Sequence, residues 1–313
     1  MQKQNRGAES RKNARPSTGS GHTDRPLTPE EKWERATIAN NFIFYKVMRN
    51  NPDICRELLE ILLEFKIDRI EMSQEEEIET DFESKGLRLD VYAKDADGEK
   101  AYNIEMQATD TKELAERARY YQGAIDVDLL KSGQRYRELK TSFIIFICAT
   151  DIFKKGRAKY TFENLCVEEP KIKMGDRTQK LFFICANCDI LLDARQKAFL
   201  RMVAANESSD GFTRRIRTLV QDAKRNTQWR RQYMDWEREK TYARDAGIEE
   251  GIALGVEKGI ALGEERGARQ KTEEDARNLL KMNVLTVGQI AQATGLPLEQ
   301  VRQLEEELAA EPV

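Results

Sequence analysis

Two carboxylates, Asp90 and Glu105, stand near the two ends of the stretch RLDVYAKDADGEKAYNIEMQ, residues 88–107. The dipeptide Asp97-Gly98 between them is a strong signal for a two-residue hairpin turn. With that turn, Asp95 faces Lys100, Tyr92 faces Asn103, Asp90 faces Glu105 and Arg88 faces Gln107, all placed on one side of the ribbon. Leu89, Val91 and Ala93 take the other side, opposite Met106, Ile104 and Tyr102. Facing side chains in a hairpin have Cβ atoms roughly 4.5–5.5 Å apart, and like charges there repel. Two arrangements relieve the repulsion: a shared proton, or a divalent cation between the oxygens. An oxygen-only site without imidazole or thiolate suits Mg²⁺, with Mn²⁺ as the substitute. The plain alternative is two acids on a water-facing sheet, where the repulsion is small.

The rest of the chain limits the chemistry. The only histidine, His22, falls in a polar N-terminal stretch, so the folded body must work without imidazole. That argues against Ser-His-Asp hydrolases, histidine-based nucleases and most zinc hydrolases. Five cysteines, an odd number in apolar surroundings, read as reduced and buried thiols. Cys185-Ala-Asn-Cys188 lacks the second ligand pair of a structural zinc site and reads as incidental. No apolar run reaches the roughly 20 residues that cross a bilayer, and the start lacks the apolar centre of a secretory signal. The expected compartment is the cytoplasm, with no membrane partner.

Elements that could position the acids follow from periodicity. Residues 1–28, with six Lys/Arg against two acids, read as a disordered basic tail. From Thr28 to Phe65 the chain reads as helical, with Ile54, Leu58, Ile61, Leu62 and Phe65 at helical spacing. An acidic connector spans Glu71 to Glu83, followed by the hairpin and by a helix from Thr111 to Arg137. Ser142 to Thr150 is a continuous apolar run, as in a strand buried on both faces. Residues 160–169 and 179–187 read as further strands, and helices resume near Leu191. The order describes an α/β core in residues 29–240.

Three later segments bear on partners. Thr213 to Arg231 carries seven basic residues and one acid around Ile216, Leu219 and Val220. Anchored by that apolar side, Arg214, Arg215, Arg217, Lys224 and Arg225 could address DNA phosphates; the alternative is a solvated charged helix. Residues 241–271 contain glycines every four positions from Gly247 to Gly267, beside a row of Ile248, Ile252, Val256 and Ile260. They read either as a helix that packs closely on a partner or as a half-folded spacer. Residues 272–313 read as a helical hairpin with its turn at Gly295, too acidic to read DNA and suited to packing or homodimer formation.

The hairpin motif, in its order Asp90, Glu105, Gln107, resembles the D-x(n)-E-x-K core of the PD-(D/E)XK nuclease superfamily, with Gln at the last position. Asn40 to Met48 (NNFIFYKVM), the stretch ERARYYQGAIDVDLLKSGQRYRELK, the glycine repeat and the C-terminal hairpin together are similar to the recombination-promoting nuclease family, to which a transposase name is also attached. The resemblance spans roughly Asn40 to Leu308. It implies a restriction-endonuclease-like fold: a mixed sheet flanked by helices, with a C-terminal helical extension. It also implies a Mg²⁺-dependent DNA endonuclease of low sequence specificity, associated with recombination or mobile DNA. Asp90 and Glu105 would ligate the metal, and Gln107 would stand where a lysine usually orients the attacking water. Arg117 and Tyr121, four apart on the next helix, match recurrent family positions and could meet a phosphate. Asn41 stands where the family commonly has Asp, and Glu57 or Glu60 are candidate substitutes. A catalytically silent DNA-binding or assembly protein of the same fold is the alternative, and strand transfer is a third possibility.

Overall fold

The computed structural model describes residues 25–72, 77–78, 87–88 and 90–310. The tail with His22 and most of the acidic connector therefore lie outside the described residues. The chain divides into two units, Met1–Asp235 and Trp236–Val313.

The expected single helical stretch is three helices: α1 (Pro29–Arg35), α2 (Asn41–Asn50) and α3 (Pro52–Leu63). The breaks have local causes. Thr28 and Glu31 close a reciprocal capping box at the start of α1. The Asn40 side chain accepts from the Phe42 and Ile43 N–H groups at 3.1 and 3.2 Å, so α2 has to begin there. Pro52 then opens α3 and holds Asn51 out of the helical region.

A short edge strand, β1 (Ile70–Met72), lies where the sequence promised only connector, and a two-residue ladder joins β2 (Glu77–Ile78) to β3 (Leu87–Arg88). Then come the hairpin strands β4 (Val91–Asp95) and β5 (Lys100–Gln107), which pair antiparallel in the expected register, Tyr92 with Asn103 and Val91 with Ile104. Three hairpin expectations need correction. The turn begins one step earlier than Asp97-Gly98: Gly98 N–H donates to the Asp95 carbonyl at 2.9 Å, and Gly98 takes a positive φ of 69°. Asp at the first and Gly at the fourth turn position is the preferred chemistry of that turn. The Asp95 carboxylate also caps Lys100 N–H at 2.7 Å. Asp95 and Lys100 pair with each other but belong to the face opposite Tyr92, because an odd separation switches face in a strand. Arg88 pairs with Glu77 in the small ladder instead of facing Gln107, since the chain bends at Asp90.

The helix α4 (Leu114–Leu129) is shorter than the sequence reading and ends ahead of a Ser132-Gly133 turn with Gly133 at φ 85°. It is followed by β6 (Thr141–Cys148), β7 (Lys159–Phe162) and β8 (Thr178–Ile184). Sheet order is β1-β4-β5-β6-β8-β7, with β5, β6 and β8 parallel and the rest antiparallel. From Ser142 onward β6 is buried throughout, as expected for a central strand covered on both faces. One face, with Tyr92, Ile144, Phe146, Phe182 and Ile184, packs under Leu114, Ala118, Tyr121 and Ile125 of α4. On the other face Tyr102 stacks on Phe143, which meets Phe65 just beyond α3. The helices α5 (Ala194–Ala205) and α6 (Gly211–Arg225) join that second layer: Gln196 donates to the Ile61 carbonyl at 2.9 Å, and Arg195 and Arg215 both bind Glu57. This is an α/β restriction-endonuclease-like arrangement.

The long helix α7 (Thr227–Met282) contains the glycine repeat, so that segment is helical and not a half-folded spacer. Ile248, Ile252, Val256 and Ile260 are exposed along it. A Cβ added at Gly251, Gly255 or Gly259 would meet nothing within 4 Å. Replacing these three glycines by alanine is expected to raise helix stability by about 2–3 kcal/mol, since each helical glycine costs about 1 kcal/mol against alanine. A fall in melting temperature instead would show that a partner occupies the row. At the other end of the second unit, α8 (Val287–Thr294) and α9 (Leu298–Ala310) form the expected hairpin, with Gly295 left-handed at φ 76°. Ile290, Val301 and Leu304 bury against Ala276 of α7, so the hairpin's apolar side is used within the unit.

Candidate active site

The two acids meet by an arrangement more intimate than a facing pair. At Asp90 the backbone leaves the ladder, and side chains replace the missing strand bonds. Asp90 N–H donates to Glu105 Oε1 at 3.0 Å, and Met106 N–H donates to Asp90 Oδ2 at 3.1 Å. Each carboxylate thus binds the other's strand. Asp90 is half-buried, whereas Glu105 is 1% exposed, so the reading of two acids on a water-facing sheet does not hold.

Four further side chains complete the cluster. Asn103, on the same face two positions before Glu105, donates to Glu105 Oε1 at 3.2 Å. Arg117 reaches down from α4: its Nη2 donates to Glu105 Oε2 at 3.1 Å and its Nη1 to Gln107 Oε1 at 3.0 Å. Its Nη2 and Nε also donate to the Tyr121 hydroxyl, at 2.7 and 3.1 Å. The guanidinium lies 5.3 Å from the Tyr121 ring centre and 5.8 Å from that of Phe146, which fixes its plane. Asp90, Glu105, Gln107, Arg117 and Tyr121 are therefore brought together. Arg117 and Tyr121 could be found by their spacing of four; Asn103 was passed over, although period two places it beside Glu105.

The other proposed residues lie elsewhere. The α6 layer and the Arg117 layer cover opposite faces of the sheet. On α6, Arg215 binds Glu57, Arg217 donates to the Asn206 carbonyl at 2.6 Å, Lys224 donates to the Glu34 carbonyl, and Arg225 stands 3.6 Å from Asp222. Arg214 is exposed. Glu57 and Glu60 are committed as well: Glu57 to Arg195 and Arg215, Glu60 to Arg56, Lys66 and Ile67 N–H. They do not complete the carboxylate pair. Asn41 sits in the first turn of α2, half-buried.

Burial first, and the Asp90 charge second, push the Glu105 carboxyl up from the usual 4.5 to about 8, against the opposing pull of Arg117. A buried acid raised in this way favours folding while protonated. Its contribution is complete below about pH 4.5 and is lost as pH rises through 8. With chelator present, the melting temperature should therefore decline across that window, and Glu105→Gln should flatten the decline whatever it does to the absolute value. Equal slopes for both proteins would show that Glu105 is not strained. The thiols of Cys55 and Cys148 are inert by contrast: burial pushes both up to about 12.

The donor set fits a hard cation. Two carboxylates converge, the Asn103 Oδ1 oxygen is buried without a hydrogen-bond partner, and no thiolate or imidazole is at hand among the described residues. Among those residues no group of three or more acids, cysteines or histidines gathers that could hold a metal. Mg²⁺ commonly takes only one or two carboxylates and fills its remaining positions with water and substrate phosphate.

No curated protein and no solved structure matches the chain. Residues 40–184 match the family model of the PD-(D/E)XK nuclease family transposases. That stretch runs from the cap of α2 to the end of β8 and contains the whole carboxylate cluster. The sheet and its site thus lie in the part of the chain that is similar to the PD-(D/E)XK nuclease family transposases.

Proposed function

We propose that the chain is a Mg²⁺-dependent DNA endonuclease that hydrolyses phosphodiester bonds with low sequence specificity, in recombination or the movement of mobile DNA. The observation that carries this reading is the junction of Asp90, Glu105, Gln107 and Arg117 inside the family-matched sheet. Asp90 and Glu105 would hold the ion, with Mn²⁺ as its substitute. Such an ion polarises the phosphate, lowers the pKa of bound water and offsets charge on the leaving oxygen. Gln107 carries no charge and cannot take a proton. Arg117 holds its oxygen, so the amide N–H groups of Gln107 remain as donors toward water or phosphate. The positive charge that a lysine would bring to this position comes from Arg117 itself, paired on its other side with Glu105.

Residues 29–240 would form the nuclease domain, residues 241–271 the glycine helix and residues 272–313 the closing hairpin. A homodimer would use the exposed isoleucine and valine row of α7, because the hairpin's own apolar residues are already buried. Among the described residues no helix is long and apolar enough to cross a membrane; the DNA-handling role would be a cytoplasmic one. The second reading, a silent DNA-binding protein, is favoured by Asn41 and Gln107, which replace an acid and a base. Supercoiled plasmid separates the two: the nuclease reading expects nicked and linear products with Mg²⁺ and none with chelator. Intact plasmid under all divalent ions would favour the silent protein.

A further inference from the structure

We propose that the loop between β6 and β7, through Lys154, Lys155 and Arg157, holds the phosphate backbone of the nucleic acid beside the carboxylate cluster. The inference rests on the nuclease reading of that cluster. Position is the first argument. β5 and β6 run parallel and end side by side at Gln107 and Cys148, and Ala149 N–H donates to the Gln107 carbonyl at 3.0 Å. The loop therefore leaves the sheet from the end of β6, beside the last motif residue on β5. It also stays on the Arg117 face. Phe153 packs 5.1 Å from Phe182, Phe182 stacks 5.1 Å from Phe146, and Phe146 lies under the Arg117 guanidinium.

Rigidity is the second argument. The Asp151 carboxylate is turned inward, accepting N–H groups of Phe153, Lys154 and Lys155 at 3.1 Å each and of Gly156 at 2.7 Å. It also accepts from the Tyr160 hydroxyl at 3.0 Å and Asn187 Nδ2 at 3.3 Å. Lys154 is held left-handed at φ 54°, a conformation strained for a non-glycine residue. The loop thus spends strain and one acid on fixing its shape.

Availability is the third. Lys154, Lys155 and Arg157 are exposed and form no ion pair among the described residues, whereas on α6 Arg215 pairs with Glu57 and Arg217 and Lys224 donate to backbone carbonyls. Free cations on a fixed loop can neutralise successive phosphates without a conformational penalty. Phosphate contacts set position and carry no base code, which accords with low specificity.

The test is fluorescence anisotropy of a short DNA duplex at several salt concentrations, in chelator, with the full chain. The variant Lys154→Gln, Lys155→Gln, Arg157→Gln is compared with the control Lys131→Gln, Arg135→Gln, Arg137→Gln, which removes equal charge before the opposite end of β6. The loop variant is expected to lower the slope of log affinity against log salt by about 2 to 3, at 0.9 per lost contact, and the control to leave it unchanged. An unchanged slope in the loop variant, an equal fall in both, or no binding by the wild type overturns the proposal. A wild type that binds through the loop yet cuts nothing with Mg²⁺ supports the loop and removes the nuclease reading. A wild type that cuts with its salt slope indifferent to the loop does the reverse.

Discussion

Asp90→Ala is expected to abolish plasmid cleavage in Mg²⁺, lowering the rate by about 10³-fold or more, while the melting temperature in chelator holds or rises. The loss follows from removing one of two carboxylates that would grip the ion: a single preorganised electrostatic contact in a buried site is worth roughly 10²–10³ in rate, and an ion held by Glu105 alone binds more weakly as well. The effect on stability has the opposite sign, because Asp90 is one of the two causes that raise the Glu105 carboxyl. Its departure relieves like-charge repulsion, at the expense of the Met106 N–H bond. Separation of function from stability marks a site under electrostatic load. Cleavage by Asp90→Ala at the wild-type rate would remove this pair from the chemistry.

Phe146→Ala is expected to cost about 3–5 kcal/mol, as complete aromatic truncations in a core do. Phe146 is fully buried on the central strand, and its ring stacks 6.2 Å from Tyr121 and 5.1 Å from Phe182. The cavity would open beneath Arg117, so the guanidinium would lose its platform as well. The melting transition should fall by roughly 10 °C, at about 2–4 °C per kcal/mol for a domain of this size. Cleavage measured below that transition should decline too. A loss of stability with full activity would show that Arg117 does not depend on this ring for its placement.

The hairpin register was legible because Asp-Gly punctuates two strands of alternating character, and Tyr92 does face Asn103. What sequence reasoning could not see was the bend at Asp90. No periodicity signals that a backbone N–H will turn to a side chain of the neighbouring strand instead of its backbone. The basic helix is a second instance. Arg215 shows a helix-face count as an open charge, yet its acceptor, Glu57, lies 158 positions earlier in the chain. The loop cations Lys154, Lys155 and Arg157 drew no notice for the converse reason: their run is short, and only the fold brings Asp151 beside the end of β5. Arg117 was legible as a partner of Tyr121 by helical spacing, but its grip on Glu105 required the crossing of α4 over the sheet.

The central claim is that Asp90 and Glu105 bind one divalent cation together. Crystals of the full chain soaked in Mn²⁺ test it by anomalous scattering. The account predicts one peak about 2.1 Å from an oxygen of each carboxylate, a distance proper to a small hard ion. A peak bound to only one of them, or a well-ordered pair with no peak at saturating Mn²⁺, would contradict it.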